Sequence, residues 1–415
     1  MAEKIFYLAA CCILKDEDPF LAEWFSYHTL IGVEHFFVYD NSSRNPARDN
    51  PFIRTMLSSG RLTLTPADGP GMQLPVYAHC LATYGPLCKW LAFIDLDEFV
   101  CPLREEDLRF LLTEYEEFSC LALNWKCFGS GGRISRPPGL VLRNYRERFV
   151  KRYARNFHVK SLVQPDRAAR VNSPHSFCPR PGETAVNDVF RPLPPGCALA
   201  PVSWERACVN HYLFKSQQDF EHRLRRGRSD IPFGGSTLSY TEFYGMLEEK
   251  QETDESILRF APALEESLAG ADAGLAPFSP AERDLPEIPD NSPLELYTRL
   301  AGLCMRDGRF SAAELLLCRA SLYHADKAQL WVVRASLARR LEQPEKALRF
   351  LKKAFSLDEL PQTYEELLDI TIRSGRKREA RAVLEFMLTA STVRTDSRAL
   401  NHKLDTAGKL LNYAP

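Results

Sequence analysis

A short apolar strand that ends in three acidic residues limits what this chain can fold into more than any other feature. Trp90 to Ile94 are five consecutive apolar residues, a run typical of a strand buried inside a parallel sheet. Asp95, Asp97 and Glu98 follow at once. Because alternate residues of an extended chain face the same way, Asp95 and Asp97 are predicted to lie side by side while Leu96 faces the core.

Two carboxylates on the same side of a buried strand end need a compensating charge. One solution is a divalent cation that bridges them to a diphosphate, since hard oxygen ligands suit Mg²⁺ or Mn²⁺ and open α/β sheets bind ligands at this edge. The alternative is a pair of loop acids that cap a following helix or pair with Arg104. The position directly after an apolar strand favours the cation site.

The N-terminal residues predict a β-α-β unit, the start of a nucleotide-binding sheet. Ile5 to Leu14 is almost wholly apolar and predicts a central buried strand, and Val33 to Tyr39 predicts a second strand after an intervening helix. Polar residues follow both strands, with Lys15 after the first and Asp40 after the second. We expect Lys15 and Asp40 to line the nucleotide site.

Composition narrows the class of protein. The 415 residues carry a formal net charge of −1 and are 45% hydrophobic, so the chain can bury two or more cores and nothing global calls for a nucleic-acid partner. The 12 cysteines contain no C-x-x-C pair, and no segment has the pattern of a signal peptide or the length of a transmembrane span. We expect the protein to be reduced and cytoplasmic, and this expectation includes a protein bound peripherally at the inner face of a membrane.

A period of about 34 residues appears toward the C-terminus. Three columns of similar residues keep this spacing: alanines (Ala313, Ala347, Ala380), aromatics (Tyr297, Trp331, Tyr364) and large aliphatics (Leu303, Leu337, Ile370). Small residues at helix crossings and this period are typical of tetratricopeptide repeats. Three repeats and a closing helix near 396–411 are therefore predicted, with an irregular helical bundle as the alternative. The excess of basic residues there suits an acidic peptide or protein partner, or simply a solvated face.

Several segments, in order, resemble family 92 glycosyltransferases and their bacterial GT-A relatives of the family-2 type. The matching segments are 15–28, 32–43, 89–99, Trp125 with Phe128-Gly129, 160–165, Pro174-His175, 210–216, and Phe220 with Arg226-Gly227. They cover roughly residues 4–230. The resemblance implies an α/β fold, a GT-A nucleotide-binding domain, in which an Asp-x-Asp motif holds Mn²⁺ or Mg²⁺ on a nucleotide-sugar diphosphate.

Carried over residue by residue, the resemblance assigns roles to individual side chains. The metal would be held by Asp95, Asp97 and His211. The nucleotide-sugar donor, with a UDP-sugar favoured, would be bound by Lys15, Asp40, Asn41, Asp95, Lys160 and Lys215. The acceptor side would include Trp125 and His175. His175 stands without the second histidine that relatives often carry, so its role as a metal ligand is not supported.

An inverting transfer needs a carboxylate base to deprotonate the acceptor hydroxyl. Glu183, Asp188 and Asp230 are the candidates, and the sequence does not choose among them. The basic stretch 143–155 is interpreted as a solvated face, with phosphate contact as the minority reading.

Together these observations predict three parts. Residues 1–230 form a GT-A glycosyltransferase-like domain, 231–290 an acidic helical or linker segment, and 291–415 an all-α repeat domain. The predicted function is metal-dependent, inverting transfer of a sugar from a nucleotide-sugar to a hydroxyl acceptor (a glycan, lipid or protein), the chemistry of a hexosyltransferase. The alternatives are a Mg²⁺-dependent nucleotidyltransferase and a non-catalytic repeat scaffold with a relic α/β domain.

Overall fold

The computed structural model describes residues 4–227, 239–269, 285, 288–289, 291–358, 360–389, 407 and 411. The chain divides into two compact units, Met1–Arg283 and Asp284–Pro415. This boundary lies close to the start of the predicted repeat domain. The described residues 239–269, which the sequence places in a separate acidic segment, fold instead as part of the first unit.

The first unit is organised around one mixed ten-stranded sheet. Its strands and those of two small ribbons are β1 Phe6–Leu14, β2 His35–Asp40, β3 Leu62–Pro66, β4 Cys88–Phe93, β5 Glu98–Pro102, β6 Cys120–Cys127, β7 Glu147–Phe149, β8 Val159–Val163, β9 Ala168–Ser173, β10 Ser176–Pro179, β11 Ala185–Asn187, β12 Pro192–Leu193, β13 Ala207–His211 and β14 Gln251–Thr253. The sheet order is β12-β11-β6-β8-β4-β1-β2-β3, and β13 joins β5 to β6. β9 pairs with β10, and β14 with β7.

Helices of the first unit connect these strands. They are α1 Asp18–Leu30, α2 Pro51–Ser58, α3 Gln73–Thr83, α4 Leu108–Leu112, α5 Val141–Asn144, α6 Gln217–Arg226, α7 Tyr240–Glu248 and α8 Ala261–Ala269. The predicted β-α-β unit is therefore present as β1, α1 and β2, and the prediction of an α/β fold is confirmed.

β1 is an interior strand buried between β4 and β2, as its apolar sequence predicts. It pairs in parallel with β2 on one side and β4 on the other, with Leu14 opposite Asp40 and Cys11 opposite Phe93. Because parallel strands end at the same edge, the residues that follow β1 lie between Asp40 and the acidic turn after β4. The topology thus gathers the polar strand ends at one edge of the sheet.

Helix α1 holds the acidic turn in place. The indole nitrogen of Trp24 donates hydrogen bonds to the backbone carbonyls of Asp95 (3.0 Å) and Glu98 (2.8 Å). One turn later, the Tyr27 hydroxyl donates to the carbonyl of Val100 at 2.8 Å. These bonds tie α1 to the acidic turn and to β5 through backbone carbonyls.

The second unit is helical. Its helices are α9 Leu294–Arg306, α10 Phe310–His324, α11 Ala328–Arg340, α12 Pro344–Leu357, α13 Pro361–Arg373 and α14 Lys377–Thr389. The first helices of successive pairs begin at 294, 328 and 361, which matches the predicted period. Ala313, Ala347 and Ala380 are each 0% exposed, as expected of small residues at helix crossings. The assignment to tetratricopeptide repeats stays a prediction, and the predicted closing helix near 396–411 lies almost wholly outside the described residues.

Gly32, between α1 and β2, is the point where the chain turns back under a buried ion pair. Its φ is +101°, and a Cβ there would stand 2.2 Å from Asp107 Oδ1 and 2.8 Å from Arg109 Nε. Asp107 and Arg109 form a buried salt bridge with an N–O distance of 2.6 Å. Only glycine satisfies both the backbone angle and the close approach.

Replacing Gly32 with alanine is therefore expected to destabilise the first unit by about 2–4 kcal/mol, the sum of a left-handed backbone and an overpacked contact. Chemical denaturation measures this. Gly60→Ala is the matched control, because Gly60 has φ +71° but nothing within 4 Å of an added Cβ. Equal losses in the two variants would contradict the role of the Asp107–Arg109 contact.

Candidate functional site

A cleft opens at the carboxyl edge of β1 and β4. Its empty volume is about 830 Å³, including the part open to solvent. It is lined by residues from both ends of the first unit: Ile13, Lys15, Glu17, Gln73, Asp95, Leu96, Asp97, Trp125, Arg155, Pro174, His175, His211, Leu213, Arg223, Arg226 and Gly227. The cleft therefore joins six of the residues predicted from sequence, namely Lys15, Asp95, Asp97, Trp125, His175 and His211.

Both oxygens of Asp95 accept hydrogen bonds from protein donors. Oδ1 accepts from Gln73 Nε2 at 2.8 Å and from the Tyr77 hydroxyl at 3.0 Å, and Oδ2 accepts from Lys160 Nζ at 2.8 Å. Burial by itself would raise the pKa of Asp95, but the Lys160 ammonium outweighs it and the pKa lies below its ordinary value. Asp95 is thus an ionised carboxylate held rigidly in the cleft wall.

Glu98 lies behind Asp95 and shares the same cation. Its Oε2 accepts from the Asp95 amide at 2.9 Å and stands 3.3 Å from Lys160 Nζ. Burial raises the pKa of Glu98 to about 8, despite the attraction of Lys160. One ammonium cannot fully neutralise both carboxylates, so the fully buried Glu98 is protonated at neutral pH while the partly exposed Asp95 is charged. Lys160 is therefore a buried counter-ion behind the cleft and not one of the lining residues.

Asp97 is compensated from a different part of the chain. The Arg223 guanidinium of α6 hydrogen-bonds Oδ2, and His211 Nε2 lies 3.6 Å from the same oxygen. Burial would raise the pKa of Asp97, but Arg223 and then His211 hold it well below its ordinary value. Burial also lowers the pKa of His211, so its imidazole is neutral at neutral pH. Asp97 thus orients an arginine and an imidazole at the cleft.

Arg226, one helical turn after Arg223, is also paired with a carboxylate. Arg226 forms an ion pair with Glu17 and donates from Nη1 to the backbone carbonyl of Lys15 at 2.6 Å. Arg155 reaches the cleft from the opposite side and pairs with Glu242 of α7 at 2.6 Å. The basic stretch 143–155, interpreted from sequence as a solvated face, therefore contributes one residue to the cleft.

One wall of the cleft is aromatic. The Trp125 ring lies 4.0 Å from that of His211 and 5.0 Å from that of His175, measured between centroids. His175 Nδ1 donates to the carbonyl of Val159 at 3.2 Å, and burial lowers the pKa of His175 to about 3, so the neutral ring keeps a lone pair on Nε2. The rings are tilted against each other, with interplanar angles of 46° between Trp125 and His211 and 76° between Trp125 and His175, so the wall presents apolar ring faces beside polar nitrogen atoms.

Four buried nitrogen atoms of the cleft residues have no hydrogen-bond partner among the described residues. They are Trp125 Nε1, His211 Nδ1, Arg223 Nε and Arg226 Nε. The first and the last two carry N–H groups that can only donate. Buried donors without acceptors are costly in a folded protein, so the cleft region holds donor capacity that the described residues do not use.

The residues predicted to hold a divalent cation do not fit one as they stand. Asp95 is committed to Gln73, Tyr77 and Lys160, and Asp97 is committed to Arg223. Within the described residues, no group of three histidine, cysteine, aspartate or glutamate side chains is arranged to hold a metal ion. The expected Mn²⁺ or Mg²⁺ therefore stays a prediction, and it requires at least Arg223 to leave Asp97.

Three predicted donor contacts lie next to the cleft instead of lining it. Asp40 accepts the amides of Ser43 (3.0 Å) and Ala47 (2.8 Å), and Asn41 donates to the carbonyls of Ala67 and Gly69 at 2.6 and 2.8 Å. Both side chains shape the loop after β2, two strands from Asp95. Lys215 is 7% exposed and its Nζ lies 4.3 Å from the centre of the Phe20 ring. It borders a small cavity that also touches Arg223 and Arg226.

None of the described candidates for the catalytic base lies in the cleft lining. Glu183 pairs with Arg167 at 3.1 Å. Asp188 is 1% exposed and accepts the backbone amides of Glu205 (2.8 Å) and Arg206 (3.1 Å), so it caps a buried turn. Asp230 lies outside the described residues.

Sequence reasoning gave no individual site role to Glu17, Gln73, Arg155, Arg223 and Arg226, although Arg226 stands in a segment that resembles family 92 and Arg155 in the basic stretch 143–155. A usable signal existed for two of them, since Arg223 and Arg226 are three apart and share one face of a helix. Gln73 and Arg155 are polar residues in unremarkable surroundings, and only the packing of α3 and of residues 154–157 brings them to the cleft edge.

The sequence model of Glycosyltransferase family 92 matches residues 7–251, which is more than half of the chain and includes every described residue of the cleft. A Glycosyltransferase family 92 protein of Oryza sativa subsp. japonica is 31% identical over 228 residues, covering 53% of this chain and 35% of that protein. One of Ricinus communis is 29% identical over 236 residues, covering 53% and 37%. The chain thus spans about a third of the length of these plant relatives.

A solved structure titled S. aureus TarS 1-349 is 12% identical and covers 84% of this chain and 90% of that one. Its TM-score is 0.27, a similarity too low to bear on the fold. No described helix is both long and apolar enough to cross a membrane.

The protonated state of Glu98 gives a pH-dependent prediction for Glu98→Gln. The pKa of Glu98 is raised from 4.5 to about 8, so the folded state binds the extra proton and the wild type loses stability as pH rises through this window. Glutamine lacks this loss. The free energy of unfolding of Glu98→Gln minus that of the wild type should therefore rise between pH 4.5 and 8, by up to about 1.4 kcal/mol per pH unit. Urea denaturation at pH 5, 6.5 and 8 measures the difference, and a constant difference would show that Glu98 is charged in the fold.

Proposed function

This chain belongs to glycosyltransferase family 92, and from that premise we propose that it transfers a sugar from a nucleotide-sugar to a hydroxyl acceptor at the cleft between β1, β4 and α6. The observation that carries the proposal is the set of buried, unpartnered N–H groups beside two ionised carboxylates. A nucleotide-sugar supplies the missing acceptors through its diphosphate and its sugar hydroxyls.

In the proposed reaction the bond between the anomeric carbon and the β-phosphate oxygen breaks, and its electron pair passes to the diphosphate. The acceptor oxygen forms the new bond to the anomeric carbon, and its proton passes to solvent in the open cleft. Negative charge develops on the leaving diphosphate, so fixed positive groups beside it lower the barrier. Lys15, Arg223 and Arg226 supply such groups in the cleft lining.

Asp97 acts as a positioning residue in this scheme. It holds Arg223 and lies beside His211, so the charge that faces the diphosphate keeps one orientation. Trp125 and His175 form the wall against which the sugar rings of donor and acceptor pack, because apolar ring faces beside polar nitrogen atoms suit a pyranose.

The proposal also covers the type of nucleotide site, the stereochemistry, the donor and the acceptor. We propose a GT-A type nucleotide site, inverting stereochemistry, a UDP-sugar as donor and a glycan, lipid or protein hydroxyl as acceptor. We also propose that the helical second unit binds a protein partner and that the protein is cytoplasmic. Family membership favours glycosyl transfer over the nucleotidyltransferase and scaffold alternatives.

A thermal-shift panel tests the function directly. UDP-, GDP- and other nucleotide-sugars are added to the full chain in parallel buffers that contain Mn²⁺ or EDTA. A saturating donor at about 100 times its dissociation constant should stabilise the protein by about 2.7 kcal/mol. No shift with any nucleotide-sugar in either buffer would contradict the proposal.

Asp97→Asn should lower turnover of the identified donor by about 100-fold, the loss typical of disturbing one group that stabilises the transition state. Release of nucleoside diphosphate is the measurement. Asp166→Asn is the matched control, because Asp166 is an exposed acid paired with Lys4 outside the cleft. Full turnover in Asp97→Asn would exclude Asp97 from the reaction.

A further inference from the structure

We propose that Arg223 and Arg226 bind the donor diphosphate and supply the positive charge that the sequence assigns to a divalent cation. This inference rests on the proposed function and concerns how the same cleft holds its donor. It predicts that a nucleoside diphosphate binds this protein without a metal ion.

Helix α6 is built to present these two arginines. Ser216 and Asp219 form a capping box at its start, with the Ser216 hydroxyl accepting from the Asp219 amide at 3.2 Å. Arg223 and Arg226 follow three residues apart, so both side chains leave the same face of the helix. Both line the cleft, with 19% and 12% of their side chains exposed.

Each arginine has hydrogen-bonding capacity to spare. Arg223 is bound to Asp97 and Arg226 to Glu17 and to the Lys15 carbonyl, yet the Nε–H group of each is buried and has no partner among the described residues. A guanidinium carries five N–H donors in a plane and pairs with phosphate through two of them at once. Since 19% of the Arg223 side chain and 12% of the Arg226 side chain are exposed, phosphate oxygens are proposed to meet the N–H groups that the ion pairs leave unused.

The carboxylates of the cleft are already neutralised by the chain itself. Lys160 compensates Asp95, Arg223 compensates Asp97 and Arg226 compensates Glu17. A divalent cation at Asp97 would have to displace a charged hydrogen bond in a buried site, which is costly. Without the cation, Arg223 serves the acid and the diphosphate together.

The charge in the cleft lining also favours an anion. Lys15, Arg155, Arg223 and Arg226 face Glu17, Asp95 and Asp97, and Lys215 lies close behind Arg223. Arg155 is offset by Glu242, but Lys160 neutralises Asp95 from behind the lining, so a positive excess remains, which a diphosphate balances. Arginine retains its charge at every physiological pH, so this contribution does not depend on proton or metal supply.

Isothermal titration of the full chain with UDP and with GDP, each in EDTA and in Mn²⁺, tests the inference. In the wild type, the preferred diphosphate should bind in EDTA with an affinity within about threefold of that in Mn²⁺. Arg223→Met and Arg226→Met should each weaken binding in EDTA roughly tenfold or more, the loss expected for a charged hydrogen bond. Arg225→Met is the matched control, because Arg225 is an exposed residue of the same helix, and its affinity should not change.

Arg223→Met leaves the buried Asp97 carboxylate without its cation, which destabilises the fold. The double variant Asp97→Asn with Arg223→Met removes this unpaired charge and is the folding control. It should show the wild-type thermal midpoint within a few degrees and still bind weakly in EDTA. Diphosphate binding in the wild type only when Mn²⁺ is present would overturn the inference and leave the proposed function intact. Absence of binding to any nucleoside diphosphate in both buffers would instead contradict the proposed function.

Discussion

Charge balance at the end of β4 is the constraint on which the first unit depends. Three acidic side chains lie within four residues at a buried edge of the sheet, and none of them can be desolvated without compensation. Lys160 comes from β8 and Arg223 from α6, so segments far apart in sequence must meet here for the fold to close. Glu98 needs no cation because its raised pKa keeps it protonated and neutral.

The same constraint places the cleft. α1 carries Trp24 under the acidic turn and fixes its carbonyls, while α6 brings its arginines over the carboxylates. The backbone of the turn is therefore bound by the neutral Trp24 indole, and its Asp97 carboxylate is bound by Arg223. Between them lies an opening with unused hydrogen-bond donors, which suits the diphosphate of the proposed nucleotide-sugar donor.

Several residues with functional-looking positions serve the scaffold. Asp40 and Asn41 follow a strand as nucleotide contacts do, but their polar atoms satisfy backbone groups of their own loop and its neighbours. Asp188 caps a buried turn in the same way. Short polar side chains compete well for nearby backbone groups, so a polar residue at a strand end does not by itself identify a ligand contact.

The sequence by itself determined the strands that carry the functional edge, the helix pairs of the second unit and the family. Apolar runs predicted β1, β2 and β4, their polar ends predicted the functional edge, and the 34-residue period predicted the helix pairs of the second unit, because these patterns depend on neighbours along the chain. Only the tertiary structure decided which cations meet Asp95 and Asp97, that Glu98 stays protonated, and that Arg155 and Gln73 reach the cleft. Such pairings join residues 22 to 126 positions apart, and no local pattern encodes them.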